Sequence, residues 1–330
     1  MIHSSLQITE VSRLENMLNF AACKKGVTEI LTYFDIFHYP LTSVEIRQFL
    51  SYRVDENFLQ ECIFELQEEK AIFCSHGFYS IQNNPLLAHR RIQGNQFAEK
   101  LMTKALRIGR FLYQFPFVRA VGISGSLSKN YADEKADIDF FIITKANRLW
   151  IARTLMHLYK KLTFLTGRQH FYCMNYYIDE KALLLEEKNI FTAIEIKTLL
   201  PVCGGQTIKL FFGTNSWAGE YLPACNFRGQ DKIDPRVTWL KKIMEWVLNR
   251  KAGNRLENYL FHLTQIRWKR KVEKGKRNKK GQPMDLITGK HFARSNPGAF
   301  QEKVLALYEQ KLTGLKQPAY RDTFTVSSVK

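Results

Sequence analysis

VGISGSLSKNYADEKADIDFFIIT, residues 121–144, holds two apolar runs, with a Gly-Ser turn after the first and two aspartates before the second. Val121 and Ile123 read as the end of a strand that enters a turn. Gly122 and Gly125 let the backbone take positive φ and come close to a ligand. Ser126 is placed near the start of a short helix, roughly 126–132, whose free N–H groups and dipole attract anions. Its hydroxyl adds a donor, and Lys129 one turn later can reach the same place. Asp137 follows Ser126 by eleven positions, and Ile138, Asp139 and the apolar run Phe140–Ile143 come next. Alternation along a strand puts Asp137 and Asp139 on one face, with Ile138 and Phe140 on the other, towards a core. Two carboxylates held that close repel, and a divalent cation between them removes the cost. Hard oxygen ligands suit magnesium or manganese, and a phosphate-cradling turn beside them suits a nucleoside triphosphate. A plain turn followed by a solvated Asp pair is the other reading of the same residues.

Gly125-Ser126 followed by Asp137-Ile138-Asp139 resembles the signature of the nucleotidyltransferase superfamily, which includes DNA polymerase beta and the minimal nucleotidyltransferases. The resemblance implies a small mixed sheet with helices. It implies that Ser126 contacts the phosphates of an NTP, ATP among the candidates, and the turn itself adds the backbone at Gly125, and Lys129, to that nucleotide site. Asp137 and Asp139 would be the catalytic acids and bind Mg2+ or Mn2+. The family usually adds a third carboxylate on the next strand. After Asp139 the apolar spacing predicts a helix over 148–166, ending at Gly167, and then a strand over 171–178, FYCMNYYI. That strand holds no Asp or Glu. Asn175 lies in the expected region and Asp179-Glu180 follow it, so Asn175 and Asp179 are the candidates for a third ligand. A later acid such as Glu195 is another, and a site working on two carboxylates, or binding nucleotide without turnover, stays open. Residues 190–223 are similar to a helical extension in some bacterial nucleotidyltransferase-like proteins. Within it, Asn215 and Trp217 read either as pocket lining or, the commoner case, as a core Trp with a capping Asn.

The chain is long enough at 330 residues for two or three domains, and its 45% hydrophobic content supports folded cores. No run of eighteen apolar residues is present, so no membrane span is expected, and the start lacks a signal-peptide core. Six scattered cysteines without C-x-x-C spacing read as small core residues in a reducing, cytoplasmic setting. The formal net charge of +18 favours a polyanionic partner. Residues 236–280 concentrate it, with fifteen Lys/Arg against three acids, and Arg267–Lys280 is the densest part. A helix over 236–272 would present a basic stripe, and 273–290, with three Gly and one Pro, reads as a flexible loop. Contact with RNA phosphates, with Trp268 stacking on a base, and a solvated basic face fit this segment equally.

Residues 26–82 read as three helices and a hairpin. The first spans about 26–38 and stops at Tyr39-Pro40. Thr42 and Glu45 form a capping box for a second over 43–51, and Asp55 caps a third over 56–70. AIFCSHGFYSIQ then gives two short strands around His76-Gly77. This order resembles a winged helix. The third helix carries Glu56, Glu61, Glu65, Glu68 and Glu69 against Lys70, which disfavours entry into a DNA groove and favours a protein partner or intramolecular docking. The expected protein is therefore α+β, in four parts: a winged-helix-like domain (1–85), a basic connecting helix (86–114), a nucleotidyltransferase core (115–182) and a helical C-terminal region (183–330). The expected reaction is transfer of a nucleoside monophosphate to an acceptor hydroxyl, with RNA a candidate. The rival expectation is a nucleotide-sensing adaptor built on the same core.

Overall fold

In the computed structural model the two apolar runs of 121–144 become strands β3 (Val118–Ile123) and β4 (Asp139–Thr144), paired antiparallel with Ile123 opposite Phe140. Residues 2–134, 136–163, 171–229, 234–277, 281, 283–284, 286–295 and 298–315 are described; side chains before residue 19 are not. The protein is mixed α+β and divides into two compact units. Of the described residues, 2–91, 222–224 and 301–315 form one, and those within 92–221 and 225–300 the other.

The first unit opens with α1 (Ile2–Asp35), α2 (Ser43–Phe49) and α3 (Glu56–Glu68), followed by β1 (Phe73–Ser75) and β2 (Phe78–Ser80). Both expected caps form. Thr42 Oγ1 accepts from the Glu45 N–H, the Glu45 carboxylate accepts from the Thr42 N–H, and Asp55 accepts from the Asn57 and Phe58 N–H groups. Two orphan donors are thus satisfied at each helix start. Leu59, Cys62, Ile63 and Leu66 of α3 are buried, and Leu41 pairs with Tyr79 of the hairpin. Helix α1 is far longer at its N-terminus than expected. α3's acids are partly spent within the unit, Glu65 and Glu69 on Lys24 and Glu56 on Arg47. Helix α12 (Phe300–Leu315) contributes residues from Gln301 onward, and there Lys311 pairs with Asp35 at 2.7 Å.

The second unit starts within α4 (Leu86–Tyr113), at Ile92, and is built on a six-stranded sheet. Its elements are β3, α5 (Gly125–Ser128), β4, α6 (Leu149–Thr163), β5 (Cys173–Asp179), α7 (Ile190–Thr198), β6 (Leu200–Cys203), α8 (Gly205–Thr214), α9 (Ala218–Tyr221), α10 (Trp239–Leu248), α11 (Lys251–Glu273), β7 (Leu286–Thr288) and β8 (Phe292–Ser295). The strand order is β6-β3-β4-β5-β8-β7, with β4 and β5 parallel and every other pair antiparallel. The parallel pair needs a crossover, which α6 supplies. One core joins Ile138, Phe140 and Ile142 to Trp150, Met156, Met174 and Tyr177, while Phe141 packs on Phe211. Among the described residues no helix is long and apolar enough to cross a membrane.

Several expectations change. The C-terminal region is not wholly helical, because β6, β7 and β8 extend the sheet well beyond 115–182. Residues 286–288, within the loop expected over 273–290, and residues 292–295, beyond it, form a hairpin on β5 that covers what would be a bare sheet edge. The expected helix over 236–272 is two, because Arg250 is extended between α10 and α11. Helix α6 is described to Thr163, and the expected stop at Gly167 lies outside the described residues. Of the cysteines, Cys74 is exposed and Cys173 half-buried rather than core. Asn215 is fully buried and structural, accepting from the Leu185 N–H and the Trp217 indole and donating to the Leu183 and Phe211 carbonyls.

Candidate functional site

The candidate site is assembled at the start of β4 and the end of β3. Gly125 has φ +69°, and a Cβ there would lie 2.7 Å from Asp139 Oδ2. Only glycine therefore fits, for backbone and for space. The Ser124 N–H donates to the Asp139 carbonyl at 3.0 Å, which ties the turn to the strand that carries the acids. Gly122 does not take positive φ. It sits inside β3, where its missing side chain leaves room for Leu199. The expected helix over 126–132 is a single turn, Gly125–Ser128, so donors for an anion are individual N–H groups and the exposed Ser126 hydroxyl rather than a helix dipole. Arg228 braces the turn by donating to the Ser128 carbonyl at 2.7 Å. No local pattern reveals that contact, because a hundred positions separate the partners.

Asp139 is the first residue of β4, and Asp137 lies just before the strand. Both are half-buried, while Ile138 and Phe140 between and beyond them are fully buried, as alternation requires. Asp139 Oδ1 accepts from the Asn175 amide at 2.6 Å, and the Asn175 amide oxygen accepts from Cys173 Sγ at 3.1 Å. Cys173 pairs with Asp139 across the parallel strands. Burial, then the charges of Asp139 and Asp137, push its thiol up to about 12, so it stays protonated beside the acids.

The candidates for a third acid part company. Asp179 sits opposite Thr144, at the other end of β5 from the Asp139–Cys173 pair. It is fully buried and accepts from the Asn147 and Lys181 N–H groups and from His291 Nδ1, so it holds loops and does not face Asp137 and Asp139. Glu195 of α7 does come to the turn. Its Oε2 accepts from the Gly125 N–H at 3.4 Å, and its Oε1 from Lys129 Nζ at 2.7 Å. Lys129 Nζ also donates to the Gly125 carbonyl at 3.1 Å. A carboxylate thus meets two of the groups expected to hold phosphate.

No group of three or more His, Cys, Asp or Glu among the described residues is placed to hold a metal ion. The Asp137–Asp139 pair nevertheless suits magnesium, which is commonly bound through one or two carboxylates, with water and substrate phosphates filling the remaining octahedral positions. Comparison of the chain with protein-family models, with curated proteins and with solved structures finds no match.

Proposed function

We propose that this chain is a Mg2+-dependent nucleotidyltransferase that moves a nucleoside monophosphate from an NTP to an acceptor hydroxyl. One juxtaposition supports the reading above all. The Gly125-Ser126 turn sits directly on the Asp139 carboxylate, so an anion held by the turn would lie beside the acidic pair. Asp137 and Asp139 would hold the ion, which supplies charge neutralisation at the triphosphate. The Ser126 hydroxyl and the N–H groups of the turn would bind and orient the phosphates, with Lys129 adding positive charge once its bond to Glu195 is exchanged for one to phosphate. Asn175 would keep the Asp139 carboxylate in place through its 2.6 Å hydrogen bond. The basic helix α11 and the residues after it would approach RNA as acceptor, and the winged-helix-like N-terminal unit would meet a protein partner.

The second reading, a nucleotide-sensing adaptor, is favoured by Asn175, which stands where an acid is expected and is a poor base. Incubation with labelled NTPs, Mg2+ and RNA separates the two. Label transfer that disappears in Asp137→Ala and in Asp139→Ala is the expected result. NTP binding without transfer to RNA, protein or small-molecule acceptors would overturn the enzyme and leave the sensor.

A further inference from the structure

Helix α10 is turned inside out. Lys241, buried, donates to the Tyr113 and Val118 carbonyls at 2.6 and 2.8 Å. Glu245, one turn on, accepts from the Phe117 N–H at 2.7 Å and from both ends of the Arg119 guanidinium at 2.9 Å. The Thr238 N–H donates to Gln114 Oε1 at the start of the helix, and Asn249 Oδ1 accepts from Lys145 at its end. These bonds fix which side of α10 meets the rest of the second unit. The opposite side carries Trp239, Leu240, Ile243, Trp246 and Val247, which are 71%, 53%, 50%, 65% and 49% exposed. Trp239, Ile243 and Trp246 follow at intervals of four and three, so they share one stripe, and Leu240 and Val247 border it. An amphipathic helix of a globular protein ordinarily turns its apolar stripe to the core. Here polar bonds hold the stripe outward, and a continuous apolar patch with two indoles marks a surface that another body covers.

The charges around the stripe indicate what that body is. From 236 to 251 the exposed charged residues are Arg236, Lys242, Arg250 and Lys251, all basic. The one acid of that stretch, Glu245, is paired with Arg119. The Arg250 guanidinium lies 4.5 Å from the Trp246 ring, so a cation stands at the border of the stripe itself. A second copy of the chain would set this basic rim against itself, because a two-fold contact repeats one patch on both sides. Single-stranded RNA would stack bases on the indoles but leave Leu240, Ile243 and Val247 against phosphate and water. An anionic lipid surface satisfies both the stripe and its rim. Aliphatic side chains enter the acyl boundary, indoles sit at headgroup depth, and Lys and Arg reach the lipid phosphates. A helix of ten residues is too short to cross a bilayer and lies along its surface.

We propose that α10 docks the protein on an anionic phospholipid bilayer, its apolar stripe in the headgroup boundary and Arg236, Lys242, Arg250 and Lys251 on the lipid phosphates. The docking is independent of the Gly125 turn and of the reaction proposed there.

The test is co-sedimentation of the full chain with vesicles of phosphatidylcholine, alone or with about 30% phosphatidylglycerol. Binding to the anionic vesicles, weakened by added salt, is expected of the unaltered protein. Ile243→Ser with Trp246→Ser keeps every charge and alters only exposed side chains. The pair should weaken that binding by at least about tenfold, with Tm unchanged. If the pair does not fold, Trp239→Ser should weaken it by about threefold or more. Lys242→Gln with Arg250→Gln should weaken it by about tenfold. The apolar variants separate docking of the stripe from diffuse attraction of a chain with net charge +18, which they would leave intact. No binding to anionic vesicles, or binding indifferent to the apolar variants, overturns the proposal. So does a dimer, or an affinity for RNA, that the apolar pair abolishes while vesicle binding is absent; the first assigns the stripe to a second copy and the second to RNA.

Discussion

The carboxylate of Glu195 lies against the Gly125 N–H and the Lys129 ammonium, where the proposed function puts a phosphate. It occupies those donors as an internal anion and would repel an incoming triphosphate. Glu195→Gln should therefore tighten NTP binding by about fivefold or more, on the order of 1 kcal/mol, measured by calorimetric titration. Unchanged or weaker binding would show that Glu195 does not stand in for phosphate. Lys241 offers a pH test of the second unit. It is buried, donates to the Tyr113 and Val118 carbonyls at 2.6 and 2.8 Å, and burial holds its ammonium down to about 8 against an ordinary 10.5. Between those two values the unfolded chain keeps a proton that the folded chain has released, so this group's contribution to stability rises with pH. Below about 8 both states are protonated and the full penalty is present. Relative to Lys241→Met, which cancels the opposing titration of buried tyrosines and cysteines, the unaltered protein should gain about 2 kcal/mol from pH 7.5 to 9.5 in urea unfolding. A flat difference would remove Lys241 from the account.

At the scale of elements, α6 is held at its N-terminus from a distance. Glu257 of α11, 3% exposed, accepts from the Trp150 and Ile151 N–H groups at 2.8 and 2.9 Å. Two orphan donors of α6 and the positive end of its dipole are satisfied by one acid a hundred positions away. Burial pushes the Glu257 carboxyl up, although both N–H groups favour its charged form. Glu257→Ala strands those donors and should cost roughly 2–4 kcal/mol, with Glu257→Gln costing less because one acceptor oxygen remains. A midpoint shift in denaturant at constant slope is the measurement, and an effect below about 0.5 kcal/mol would show that water replaces the carboxylate. This element-level link was not legible beforehand, because Glu257 reads as one of few acids in a basic helix. The caps at Thr42 and Asp55 were legible, since an N-cap depends on residues within four positions.

For the whole molecule, charge is the property most open to test. Arg267, Lys269, Arg270 and Arg277 are exposed. If each meets one phosphate of a single-stranded RNA, replacing all four by Gln should reduce the slope of log affinity against log salt by about 3. An unchanged slope would assign the basic segment to solvent. The +18 charge made a polyanion plausible from the sequence, but its division between surface and interior was hidden. Lys197 and Lys241 are buried on backbone carbonyls, and Arg153 lies in the core. A count of basic residues cannot separate these from charges that face a partner.

The sequence by itself determined the two strands around 121–144, the Gly-Ser turn, the acidic pair at the start of β4 and the capped helices of the N-terminal unit. Each rests on spacing within a dozen residues, where sterics, alternation and caps act directly. The tertiary structure decided the rest. It brought β6, β7 and β8 into the sheet, turned Asp179 to a structural task, set Asn175 against Asp139 and laid Glu195 on the Gly125 turn. Those outcomes depend on strand order and on side chains tens of positions apart, which periodicity along one segment does not encode.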